Sequence, residues 1–150
     1  MIQEISSKMD YALLLTESDP NINLVEDYLE KGQLYGYFIN EEPVSFIAVI
    51  KKSDSEVEIK NILTLQEHRG HGYAKSLIQY IEKMYQNIPT IYVSTANSSM
   101  INIAFYTKLG YHYSHRIEEF FIKYYPQEIY ENGLQAVDLL YFKKSLVGLN

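Results

Sequence analysis

Residues Arg69-Gly70-His71-Gly72-Tyr73-Ala74 join a strand-like run, 59–65, to a helix-like run, 75–85, and no other part of the chain constrains its fold as much. Two glycines let the backbone turn tightly and bring its N–H groups close to a ligand. The helix that follows aims its unpaired N-terminal donors and the positive end of its dipole the same way, so the junction is an anion cradle.

Strand, glycine turn and helix also open other nucleotide-binding folds, but neither fingerprint fits. The third glycine of the dinucleotide motif is missing, and no Gly-Lys-Ser/Thr follows the turn as a phosphate-binding P-loop requires. The pattern that does fit is Arg/Gln-x-x-Gly-x-Gly/Ala, read as Arg69, Gly72 and Ala74. Downstream, Asn97-Ser98-Ser99 leads into Ala104-Phe105-Tyr106-Thr107-Lys108-Leu109-Gly110-Tyr111, a helix ending in Tyr-x-Lys-x-Gly-Tyr. With both motifs in this order, the chain resembles the GNAT superfamily of acetyl-CoA-dependent N-acetyltransferases over residues 1–146.

The 150 residues suit a single domain, 1–150, large enough to bury about two thirds of the surface of the unfolded chain. Having no cysteine, the chain has no disulfide, zinc-thiolate site or thiol nucleophile, which fits a cytoplasmic setting. The N-terminus lacks the character of a secretion signal, and apolar runs such as 44–50 are too short to span a bilayer. A net charge of −6 argues against nucleic acid. Acidic balance favours a cationic partner at long range, and it is equally an ordinary aid to solubility.

Periodicity places a first strand at 1–6 and a helix at 21–30, started by Asp19-Pro20-Asn21 and stopped by Gly32. A hairpin follows, 33–39 and 44–51, and then a third antiparallel strand, 57–65, that runs into the glycine loop. Ala74, Leu77, Ile78, Ile81 and Tyr85 give the next helix one apolar face. Beyond it lie a strand at 90–95, a helix at 98–109 stopped by Gly110, and strands at 111–116 and 136–143, with a short helix and loop over 118–133. This order suggests an α/β (α+β) fold with a mixed sheet flanked by helices. The resemblance implies a mostly antiparallel central sheet whose middle strands, 59–65 and 90–95, splay apart.

Acetyl transfer from a thioester to an amine needs an anchored coenzyme, a free amine, a stabilised oxyanion and a proton for the departing thiolate. Backbone N–H groups from Gly70, His71, Gly72, Tyr73, Ala74 and Lys75 would hold the diphosphate of acetyl-CoA, with Arg69 either bracing the loop or adding a cation. His68 and His71, lacking a third ligand nearby, make a poor metal site, and no metal is expected. By resemblance, the pantetheine arm lies between the splayed strands and the N–H of Leu65 or Leu63 faces the oxyanion. Tyr106 assists the leaving sulfur by resemblance; its phenol, with a pKa of about 10, lies near a thiol's. Spacing sets Phe105 on one face with Ile101 and Leu109 and turns Tyr106 to the flank; the alternative is a core aromatic. Asn97 and Asn102 are candidate coenzyme contacts, although they depart from the usual Asn-x-x-Ala-x-x-x-Tyr, and Asn97 also suits a helix cap. Glu58 occupies the strand position where some members of the superfamily carry the base. Alternation groups it with Glu56 and Lys60, as on a solvated strand face.

The expected function is therefore N-acetylation of the primary amine of a small cationic metabolite by direct transfer in a ternary complex. Acetylation of a protein N-terminus or lysine, and a non-catalytic acyl-CoA sensor, are the alternatives. A sheet edge near the C-terminal strand offers a surface for a homodimer.

Overall fold

The computed structural model describes residues 1–147; residues 148–150 of the expected 1–150 domain lie outside the described residues. Nine strands and five α-helices follow in the order β1 (Ile2–Glu4), α1 (Ala12–Leu15), α2 (Ile22–Lys31), β2 (Gln33–Ile39), β3 (Glu42–Lys51), β4 (Glu56–Thr64), α3 (Tyr73–Met84), β5 (Thr90–Ala96), α4 (Met100–Lys108), β6 (His112–Ile117), α5 (Phe120–Tyr124), β7 (Tyr130–Glu131), β8 (Leu134–Gln135) and β9 (Leu139–Ser145). Seven strands form one sheet in the order β1-β2-β3-β4-β5-β9-β6. Every neighbouring pair in it is antiparallel except β4 and β5. The mixed, mostly antiparallel sheet flanked by helices agrees with the expected fold class.

Local signals account for most of these elements. Asn21 caps α2, its side-chain oxygen accepting from the N–H groups of Asn23 and Leu24. The β2–β3 hairpin turns through Asn40 and Glu41, both at positive φ. The last strand runs through Leu139–Ser145 rather than 136–143, because Ala136 to Asp138 are held as a connector by Asn97. β9 inserts between β5 and β6, so the free edge on this side is β6 and not the C-terminal strand. The small β7–β8 hairpin occupies a stretch expected to be loop.

The two faces of the sheet are covered unequally. On one, α3 and α4 bury Leu77, Ile78, Ile81 and Tyr106 against Ile47, Val57, Ile59, Ile91, Val93, Leu140 and Phe142, reaching from β3 to β9. On the other, α1 and α2 bury Leu15, Val25, Tyr28 and Leu29 against Leu34, Phe46, Ala48 and Leu63, and this core stops at β4. The second face of β5, β9 and β6 carries mainly polar and aromatic side chains, among them Tyr92, His115, Tyr141 and Lys143, with Ala96, Leu139 and Ile117 in one aliphatic row.

β4 carries a bulge. Ala48 opposes Asn61 and Val49 opposes Ile59, which makes Lys60 the extra residue. Val57, Ile59 and Ile62 consequently serve the α3–α4 core, while Asn61 and Leu63 join Glu58 on the α1–α2 side. Among the described residues no helix is long and apolar enough to cross a membrane.

Candidate active site

β4 and β5 pair in parallel only from Glu56–Thr90 to Ile59–Val93 and then part. The separation leaves one side of the upper half of β4 without a strand partner. Leu65 N–H donates to Val44 O at 2.9 Å, and Phe46 lies opposite Leu63 in the same register. Because antiparallel bonds come on alternate residues, the N–H groups of Leu63 and Leu65 both turn to β3, and those of Ile62 and Thr64 turn to the gap. This corrects the expected oxyanion donors, Leu63 and Leu65: both N–H groups belong to the ladder. The gap-side carbonyls have partners of their own, Ser18 Oγ donating to Ile62 O at 3.1 Å and Arg69 Nε to Thr64 O at 3.0 Å. Arg69 thus braces the loop against the strand.

At the end of β4 the chain enters the glycine turn. Gly70 and Gly72 stand at φ 82 and 80, a left-handed conformation costly to any residue with a Cβ, and a Cβ at either would meet only open space. Gly72 is the N-cap of α3 and supplies no side-chain cap, so the first N–H groups of the helix, from Tyr73, Ala74 and Lys75, are presented outward. Nearby side chains stand aside. His71 Nδ1 lies 3.1 Å from His68 O, its ring stacks on Tyr73, and Tyr73 packs 4.4 Å from Tyr37. Lys75 is exposed. Among the described residues no group of three or more His, Asp or Glu is placed to hold a metal ion.

Tyr106 is 7 % exposed and packs against Phe105 and Tyr111 in the α3–α4 core. The helical face assigned from spacing is therefore reversed: Ile101 is 76 % exposed, Phe105 is half-buried, and Tyr106 points inward. α4 is apolar nearly all round, so periodicity could not select its buried side. Burial alone pushes the Tyr106 hydroxyl above its ordinary range. A phenol so shifted stays protonated and favours donating a hydrogen bond to a thiolate over surrendering the proton.

Asn97 is not available to a coenzyme. Its Oδ1 accepts from Val137 and Asp138 N–H at 2.8 and 3.1 Å, and its Nδ2 donates to Gln135 O at 3.2 Å. Nor does it cap α4, whose N-cap is Ser99. Ser98 and Ser99 donate to Glu131 Oε1 of the β7–β8 hairpin at 3.4 and 2.6 Å, a tie across 32 residues or more that spacing could not reveal. Asn102 is exposed beside the gap, with Nδ2 3.3 Å from Thr95 Oγ1.

Glu58 lies where β4 and β5 are still paired, on the face that α1 and α2 leave partly uncovered. Far from solvated, it is 1 % exposed. Lys52 Nζ approaches Oε1 at 3.1 Å and Lys60 Nζ approaches Oε2 at 2.9 Å. Oε1 has the ion pair but no well-directed hydrogen bond, which leaves a lone pair open on a buried carboxylate. The Tyr141 hydroxyl sits beside it, pushed up first by burial and then by the carboxylate's charge. Tyr141 stacks on His115 at 4.7 Å, and Tyr92 meets both rings edge-on. Across from this wall, Tyr125 of the α5 end donates to Asp19 Oδ1 at 2.7 Å, and Asn21 Nδ2 donates to Tyr124 O. Asn61 Nδ2 donates to the Tyr28 hydroxyl at 2.8 Å. The lysine clamp on Glu58 and the α5 latch were both invisible to motif reading. The only sequence signal was the alternation of Glu58 with Lys60.

An anion cradle, a gap lined by free backbone donors and a walled side holding a buried carboxylate thus lie along one strand. A family profile described as "Acetyltransferase (GNAT) family" matches residues 2–111. The Uncharacterized N-acetyltransferase YvbK of Bacillus subtilis (strain 168) is 33% identical over 132 residues, covering 87% of this chain and 84% of that one. A GNAT family acetyltransferase from Elizabethkingia anophelis with acetyl-CoA bound superposes with a TM-score of 0.89 at 25% identity, over 97% of each chain. A Bacillus subtilis acetyltransferase in complex with CoA gives a TM-score of 0.89 at 27% identity, over 97% of this chain and 98% of that one.

Proposed function

The chain belongs to the acetyltransferase (GNAT) family and is an acyltransferase, and on that premise we propose that it moves an acetyl group from acetyl-CoA to the primary amine of a small molecule within a ternary complex. The observation that carries this reading is the parting of β4 from β5 after Ile59 and Val93, on the strand that runs on into the Gly72 cradle. The diphosphate meets the first N–H groups of α3, the pantetheine amides meet the main chain of Ile62 and Thr64, and the thioester reaches the walled side of the sheet. The amine nitrogen attacks the thioester carbon there; a gap-facing backbone N–H holds the oxyanion, and the C–S bond then breaks. With no cysteine in the chain, direct transfer needs no acyl-enzyme.

Glu58 receives the amine proton, directly or through one water, at its open Oε1, and Tyr106 donates a hydrogen bond to the departing sulfur. Asn102, exposed beside the gap, is the remaining side-chain contact for the coenzyme. The latch of Tyr125 and Asn21 over the acceptor side favours a metabolite over a protein segment, because it narrows the approach. The expectation of a cationic acceptor rests on the net charge of −6. The unpaired edge of β6 supports a homodimer.

Free-thiol release from acetyl-CoA, measured against polyamines, aminoglycosides, amino acids and short peptides, tests the reading. Turnover with a small amine supports it. Acetyl-CoA binding without turnover of any acceptor would instead favour a sensor.

A further inference from the structure

Lys60 is the extra residue of the β4 bulge, placed where β4 leaves β5, and its side chain turns to the acceptor side. Nζ sits 2.9 Å from Glu58 Oε2 and 5.9 Å from the centre of the Tyr28 ring, with the side chain only 27 % exposed. Glu58 therefore faces two cations, Lys52 at 3.1 Å and Lys60. A buried carboxylate is neutralised by one, and Lys52, 51 % exposed, meets that need from the rim at little desolvation cost. Lys60 is a second and more deeply held ammonium, with three donors of which Glu58 uses one.

Asp19 and Glu56 also carry negative charge near the wall, but among the described residues neither forms an ion pair with Lys60. Asp19 already accepts from the Tyr125 hydroxyl, the Tyr28 hydroxyl and its own loop through Asn21 N–H. Glu56 is turned to Tyr92. The triad of Lys52, Glu58 and Lys60 carries a surplus positive charge on the acceptor wall.

We propose that the acceptor is an amine that also bears a carboxylate, and that Lys60 binds that carboxylate while the amine faces the β4–β5 gap. The proposal rests on the transferase reading above and replaces the expectation of a purely cationic acceptor. It makes Lys60 a specificity-determining residue, since a site built around a buried ammonium discriminates against a ligand that leaves it without its anion.

Matched sets test it: an amino acid, its carboxamide and its decarboxylated amine, compared by kcat/KM in the intact protein, with acetyl-CoA affinity measured by calorimetry. The carboxylate member is expected to lead by about tenfold or more, the scale of one well-placed charge-assisted bond. Lys60→Met keeps an unbranched side chain of similar length without the ammonium and should collapse that ratio, chiefly through KM, while Lys60→Arg retains it. No preference for carboxylate in the native protein, turnover confined to carboxylate-free amines or absent altogether, or a ratio preserved in Lys60→Met overturns the proposal. Failure of the native protein to bind acetyl-CoA would strike the transferase reading itself.

Discussion

The loop from Arg69 to Lys75 and the wall around Glu58 lie at opposite ends of one strand and are built from different materials. At the loop the groups on offer are main-chain N–H donors, and side chains either stand aside, as His71 and Tyr73 do by stacking, or brace the turn, as Arg69 does through Thr64 O. At the wall they are side chains gathered from β3–β4, β5, β9, β6 and the α1–α2 turn. A backbone site depends on where glycine is permitted, so it is written locally. A side-chain wall is assembled from residues up to about a hundred positions apart and can change its ligand without disturbing the sheet.

The contrast is broken most severely at the cradle. Gly72→Glu sets a carboxylate against the diphosphate and is expected to abolish acetyl-CoA binding in calorimetry. The fold should survive, because a Cβ there meets only open space and the left-handed φ costs about 1–2 kcal/mol. Unchanged affinity would remove the loop from the coenzyme site.

At the wall, Glu58→Gln should lower turnover about a hundredfold and flatten the rise of rate with pH, with coenzyme affinity unaltered. It should also lower the melting temperature, since Lys52 and Lys60 lose their shared anion. An unaltered pH profile would make Glu58 a structural counterion only.

Between the two ends, Tyr106→Phe should cost about tenfold in turnover, the scale of one hydrogen bond. Stability at neutral pH should hold, because burial alone accounts for the raised hydroxyl. Its folded pKa lies above the unfolded value of about 10, so its contribution is constant below pH 10 and is lost as pH rises beyond it. The variant should therefore lose stability less steeply in alkaline melts. Preserved turnover would return the ring to pure packing.

The smallest effect sharpens the backbone assignment. Amide exchange should show Leu63 and Leu65 protected with or without acetyl-CoA, and Ile62 and Thr64 gaining protection only when it binds. Equal behaviour of the two pairs would mean that β4 does not present alternate donors to the gap.

Much of this was legible in the sequence. The Arg69–Ala74 turn, the α3 face of Leu77, Ile78 and Ile81, and the Asn21 cap depend on neighbours a few residues away, and patterns record such neighbours well. Three features were not legible. The direction of the Leu63 and Leu65 N–H groups follows from register with β3 rather than from residue type. The inward turn of Tyr106 was hidden because Ile101, Phe105 and Leu109 offer an equally apolar row that the sheet does not use. The ties from Asn97 to the β9 connector and from Glu131 to Ser98 and Ser99 depend on contacts 32 to 41 residues away.

The β4 bulge has a consequence for how the strand tolerates change. Side chains alternate with a period of two, and a bulge takes up one extra residue while the strand beyond it keeps its pairing and its facing. Deleting Lys60 would remove the bulge and set Ile59 directly before Asn61, still opposite Val49 and Ala48. Asn61 and Leu63 would keep the α1–α2 side and Ile62 the α3–α4 side; what would be lost is the second charged side chain next to Glu58. Lys60 is thus a spare residue that β4 could lose and keep its phase, much as the turn Ser53–Ser55 could change in length, and its presence places a second ammonium on the acceptor side.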